Sequence, residues 1–153
     1  MIEIFRLCRE KYANDLSGIG ASLKGGRWNS PGVEMIYTAA NRSLAMAEVA
    51  VHFTIGTVPR DYVMTTLLIP SSISIQTLDE KILQVGWNSF PYSKSTQMVG
   101  DRFITNEKSC MFKVPSAVTK GDFNFLINPH QKEMKKIKIK SIEKFPFDRR
   151  ILK

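Results

Sequence analysis

The sequence predicts an α+β fold: one domain built on mixed or antiparallel sheet, with a few helices scattered along the chain. Three observations carry this. Seven stretches have strand character and only two have helical periodicity. The two helical stretches stand apart, so the strands do not alternate with helices as in a parallel βαβ array. No repeat, low-complexity run or Pro/Ser/Gly linker divides the 153 residues, so residues 1–153 form a single domain.

The elements follow in order. Ile2–Leu7 is a short opening strand. Gly18–Gly32 carries five glycines and a proline and is expected to be a loop. Val33–Thr38 is the next strand, with Val33, Met35 and Tyr37 on one face. A helix is expected over Ser43–Phe53, capped by Asn41 or Ser43 and ended by Gly56 and Pro59. Tyr62–Ile69 and Ser72–Leu78 are β-branched strands separated by Pro70. A second helix covers Lys94–Thr105 after the turn at Pro91, and Met111–Val114, Asn124–Ile127 and Lys136–Ile142 close the chain as strands.

Composition narrows the function classes. At 43% hydrophobic and 24% charged residues the chain is an ordinary globular protein. No apolar run has the length to span a bilayer and no signal pattern opens the chain, so a cytoplasmic protein is expected. Cys8 and Cys110 lack CxxC spacing and histidine neighbours, which favours two reduced thiols over a disulfide or metal site. No metal-ligand set is visible. The formal charge is +8, and Lys132–Lys153 holds nine Lys/Arg against three acids. This basic end can be solvated surface, a docking face for an acidic partner, or a nucleic-acid contact. Aromatic residues are not interleaved with its lysines as a base-stacking platform requires.

The Ser43–Phe53 stretch has apolar side chains at nearly every helical angle, the pattern of a buried helix. Glu48 and His52 are its only titratable residues, four apart and on one face. A buried carboxylate needs a partner, so Glu48 is either a structural group paired with an arginine or a functional acid. His52 reads more simply as a core or rim histidine. Lys24-Gly-Gly-Arg27 sets cations beside glycines, which suits anion binding, but it is neither a P-loop nor a Rossmann fingerprint. Tyr37, at a strand end, is ordinary core or a ring face for a flat cationic heterocycle. Ser116, after Pro115, can donate a hydrogen bond or cap a turn.

Taken in order, these pieces resemble the RES domain family. The resemblance rests on Gly26-Arg27-Trp28-Asn29, Ile36-Tyr37-Thr38-Ala39 and Ser43-Leu44-Ala45-Met46-Ala47-Glu48. It continues through Trp87, Pro91, Gly100-Asp101, Val114-Pro115-Ser116-Ala117-Val118, Asn124, Asn128-Pro129-His130 and Phe147-Asp148-Arg149-Arg150, and covers nearly the whole chain. The segment Thr54–Arg60 is short, and Phe103 stands near where a tryptophan is expected.

The resemblance implies an ADP-ribosyltransferase-like fold and a toxin of a type II toxin–antitoxin pair. Its partner would be an Xre-type helix-turn-helix antitoxin in a hetero-oligomer that meets DNA only through the antitoxin. Its substrate would be NAD⁺, attacked at the nicotinamide–ribose bond by hydrolysis or phosphorolysis, without a metal; the alternative is ADP-ribosylation of a protein. The family's Arg, Glu and Ser map to Arg27, Glu48 and Ser116. Glu48 would stabilise the sugar cation, Arg27 hold the pyrophosphate, Tyr37 stack on nicotinamide and Ser116 fix the ribose or carboxamide. Arg6, Asn124 and Asn128 are expected to line the site. An RNA-binding or RNA-cleaving toxin is the rival from another class, drawn from the basic end of the chain.

Overall fold

The computed structural model describes residues 1–57 and 59–152. Val58, inside the Thr54–Arg60 segment, and Lys153, the last cation of the basic run, lie outside the described residues. The strands are β1 (Ile2–Arg9), β2 (Ile36–Ala39), β3 (Tyr62–Ile69), β4 (Ile75–Thr77), β5 (Met111–Pro115), β6 (Phe123–Ile127) and β7 (Lys138–Lys144). The helices are α1 (Ile19–Lys24), α2 (Arg42–Ala50) and α3 (Lys94–Asn106). All seven strands join one mixed sheet in the order β4-β5-β6-β2-β1-β3-β7, antiparallel except for the β4/β5 pair. The expected α+β class is the class observed.

Strand alternation gives the sheet two apolar faces. One buries Ile4, Ile36, Leu67, Ile69, Met111 and Ile127. On the other, α2 packs Leu44 and Ala45 onto Phe5, Leu7, Ala39 and Met64. On that same face α3 brings Phe103 against Phe112, Val114 and Leu126, together with Trp28 and Met35. The register Tyr37↔Leu126 and Ala39↔Asn124 therefore turns Tyr37 and Asn124 toward the helical side.

Three expectations are corrected. The stretch Gly18–Gly32 is not all loop, because α1 forms inside it. Gly18, at φ +76°, and Gly25, at φ +78°, sit at the two helix ends, and the Ser17 hydroxyl accepts from the Ile19 N–H at the start. Pairing in β2 begins at Ile36 rather than Val33; the Val33 N–H bonds Ser30 O and its carbonyl accepts from Asn29 Nδ2, which holds Val33 in the loop. The helix α2 is shorter and less enclosed than its composition predicts. Only Leu44, Ala45 and Ala50 are buried, and Val51 is 60% exposed just beyond its end. Small alanines fill its angles without requiring protein on all sides.

Asn41 caps α2, its side chain accepting from the Leu44 N–H at 2.8 Å. The last strand, β7, lies at the sheet edge with Lys138 and Lys140 exposed. The aromatics that follow it, Phe145 and Phe147, turn inward to pack with Tyr62, so they offer no stacking platform to the basic run. Cys8 and Cys110 are both free thiols. No helix is long and apolar enough to cross a membrane among the described residues.

Candidate active site

Glu48 lies in the last turn of α2, half-buried over the β2/β6 part of the sheet. Asn124 Nδ2 donates to its Oε1 at 2.6 Å, and Ser116 Oγ donates to its Oε2 at 3.3 Å. Each donor is itself held. The second amide hydrogen of Asn124 goes to Thr38 O at 3.1 Å. Ser116 Oγ accepts the N–H groups of Val118 and Thr119, both at 3.1 Å, so its own proton is left for the carboxylate. The two sit at the ends of the β5–β6 hairpin, where Val114 pairs with Asn124. Burial pushes the Glu48 carboxyl above its ordinary range, while the bonds from Asn124 and Ser116 and the charge of Arg27 pull it back.

Arg27 stands on the turn that Gly26 and Asn29 close, with Gly26 N–H bonded to Asn29 O at 2.9 Å. Its Nη1 donates to Trp87 O at 2.8 Å and Ser89 O at 2.9 Å, and its guanidinium lies over the Tyr92 ring, 5.0 Å from the centroid. Burial pulls its pKa below the usual guanidinium range, and Tyr92, Tyr37 and Glu48 oppose that. Glu48 and Arg27 thus feel each other's charge, yet no ion pair closes between them among the described residues. The reading of Glu48 as a structural acid neutralised by an arginine is not what the structure has. The carboxylate is held by neutral donors, and the guanidinium is held by backbone carbonyls.

Helix α3 fixes the Arg27 turn from behind. Gln97 Nε2 donates to Gly26 O at 2.9 Å, and Asp101 accepts both the N–H and the hydroxyl of Ser30, at 2.9 and 2.5 Å. A Cβ on Gly100 would lie 1.6 Å from Trp28 O, so only glycine lets the helix approach this closely.

Tyr37 lies on the helical side of the sheet, beneath the Arg27 turn. Its hydroxyl donates to Asn29 Oδ1 at 2.5 Å and accepts from the Trp28 N–H at 2.9 Å. Burial raises its phenol well above the usual range, so it stays protonated and its hydroxyl is committed to the loop.

Two expected site residues are elsewhere. Arg6 sits between Phe5 and Leu7, which face α2, so alternation turns its side chain to the opposite side of the sheet. There its Nη1 donates to Tyr12 O at 3.1 Å. Asn128 is on the correct face but four residues along the strand from Asn124, roughly 13 Å away. It is buried with Nδ2 on Ile104 O and Oδ1 on His130 N–H, a tie between β6 and α3. His52 is exposed on the rim, against Phe90. Tyr92, Gln97 and Asn29 are the neighbours that sequence reasoning did not single out as site residues; Asn29 stood inside the Gly26–Asn29 run with nothing to mark its role. A separate cleft of about 220 Å³ lies between α3 and the β4 edge, lined by Leu78, Phe103, Phe112 and Arg102; it borders neither Glu48 nor Arg27.

An acid oriented by two neutral donors, beside a guanidinium with one nitrogen committed to backbone, offers one centre for positive and one for negative charge on a ligand. The model of the RES domain matches residues 3–148. A protein of Sphingobium sp. (strain YBL2) described as a Prs ADP-ribosylating toxin is 32% identical over 147 residues, covering 95% of this chain and 91% of its own length. A Toxin Res of Photorhabdus laumondii subsp. laumondii is 33% identical over 153 residues, with 98% and 97% covered. The toxin–antitoxin complex MbcT-MbcA of M. tuberculosis contains a chain of the same fold, at a TM-score of 0.75 and 18% identity, covering 95% of this chain and 84% of that one.

Proposed function

The chain belongs to the RES domain family, and from that premise we propose that it is the toxin of a toxin–antitoxin pair and breaks the nicotinamide–ribose bond of NAD⁺. The observation that carries the reading is the Glu48 carboxylate, held on both oxygens by Asn124 and Ser116 while Arg27 stands close by without pairing to it. The glycosidic C–N bond breaks with its electron pair going to the nicotinamide ring, which leaves neutral. The ribose carbon becomes oxocarbenium-like, and a fixed carboxylate stabilises that charge. The free edge of the Arg27 guanidinium takes the pyrophosphate. Tyr37 walls the nicotinamide end with its ring.

Water or inorganic phosphate then attacks the ribose carbon, and the attacking oxygen releases its proton to Glu48 or to solvent. Depletion of NAD⁺ by this route is the activity we assign first. ADP-ribosylation of a protein is the second reading, and it is favoured by the relative of that description at 32% identity. An antitoxin partner is supported by relatives described as Toxin Res; we assign it to the Xre helix-turn-helix type, binding as a hetero-oligomer and carrying the DNA contact.

Incubating the purified chain, freed of antitoxin, with carbonyl-labelled and adenylate-labelled NAD⁺ tests this. Free nicotinamide with ADP-ribose or its phosphorylated counterpart supports degradation, and adenylate label on a macromolecule supports transfer. NAD⁺ left intact with water, phosphate and cell extract present ends the proposal.

A further inference from the structure

Beside Arg27 lies an aromatic cluster that the chemistry above does not use. The Tyr92 ring under the guanidinium meets Phe90 edge-on, with centroids 5.2 Å apart, and Phe90 meets His52 at 6.3 Å. Phe90 is 71% exposed. A phenylalanine that open gains little from the fold, yet its loop is not slack: the carbonyls of Ser89 and Trp87, just before it, both accept from Arg27 Nη1. His52, the other wall, is four residues beyond Glu48 and about 6 Å further along the direction of α2. The rings therefore run from Arg27 to the residue just past the C-terminal end of α2, the helix that carries Glu48.

We propose that Phe90, flanked by Tyr92 and His52, is the stacking platform for the adenine ring of the dinucleotide. The proposal rests on the NAD⁺ reading and extends it to the other end of the substrate. With the pyrophosphate on Arg27, one half of the molecule runs to Glu48 and the other must leave across the loop that Arg27 holds. A flat purine meets an exposed ring face there, and base–aromatic stacking is a general source of affinity for nucleotides. Because the guanidinium already fixes the loop, binding costs little ordering.

The test uses the full chain carrying Glu48→Gln, which slows turnover, and measures AMP, NAD⁺ and nicotinamide mononucleotide by calorimetry. Adding Phe90→Ala should weaken AMP and NAD⁺ about tenfold, the scale of one stacked base, and leave nicotinamide mononucleotide unchanged. Phe90→Trp should retain both. Since Phe90 is exposed, an unchanged melting temperature certifies the fold. Absence of AMP binding, equal loss for all three ligands, or no loss for any of them would overturn the platform; the last outcome would leave the exposed ring to a protein partner. AMP bound through Phe90 while the unmutated chain leaves NAD⁺ intact would sink the catalytic reading and spare the platform. NAD⁺ consumption unaffected by Phe90→Ala would do the reverse.

Discussion

Asn124 Nδ2 reaches Glu48 Oε1 at 2.6 Å and Thr38 O at 3.1 Å at the same time. One buried amide therefore ties the acid on α2 to the backbone of β2. Removing it frees the carboxylate and takes away the larger of the two hydrogen-bond contributions that counter its burial. Asn124→Ala should raise the Glu48 pKa, so a larger fraction of the acid is protonated at any given pH. The acid limb of the activity profile should move to higher pH, with kcat down about tenfold. A limb that stays in place or moves down would show that Asn124 does not set this ionisation.

Glu48→Gln should cost 10²–10³ in turnover, on the order of one oriented electrostatic group, with the fold retained. The stability consequence has a defined sign. Glu48 ionises at 4.5 when unperturbed and above that in the folded chain. The folded chain holds the proton more tightly, so this site favours folding below 4.5, and that contribution is lost as pH rises through the elevated folded value. Melting temperature measured from pH 4 to 7 should therefore decline more steeply for the parent than for Glu48→Gln. Parallel curves would contradict the assignment.

Tyr37→Phe separates the phenol from the ring. The hydroxyl serves Trp28 N–H and Asn29 Oδ1, and losing it strands a buried N–H, a cost of about 1–3 kcal/mol. Thermal stability should fall accordingly while kcat at low temperature stays within a few-fold. A collapse of kcat with unchanged melting would move the hydroxyl into the chemistry.

Arg27→Lys should raise the KM for NAD⁺ more than it lowers kcat, because a lysine cannot bridge the Trp87 and Ser89 carbonyls and still present a planar donor edge to a phosphate. Steady-state kinetics on the parent and Arg27→Lys decide this; a pure kcat defect would place Arg27 at the breaking bond instead.

Two glycines give opposite results on Ala substitution. Gly100→Ala sets a methyl 1.6 Å from Trp28 O, and α3 can accept it only by backing away from the Arg27 turn. Gly20 lies within α1 with nothing near its missing side chain, so Gly20→Ala should stabilise by roughly 0.5–1 kcal/mol. Urea unfolding of both variants checks the pair.

Local pattern was enough for much of this protein. The strand Tyr62–Ile69 is legible to the residue because β-branched and apolar side chains fill it between breakers. The α+β class follows from the count and spacing of such segments, and the acid on the second helix stands out because a carboxylate among alanines and valines demands an explanation. What lies beyond that depends on which way alternating side chains turn and on what comes near them from distant segments. Arg6 has the right chemistry for an anion site, and only its position between Phe5 and Leu7 sends it to the opposite face of the sheet. Asn124 and Asn128 are equivalent as letters, yet one meets Glu48 and the other closes α3. The carbonyls that hold Arg27 come from sixty residues away, on a segment whose side chains give no sign of the role. Backbone acceptors carry no sequence signature, so contacts of that kind are decided by the tertiary structure alone.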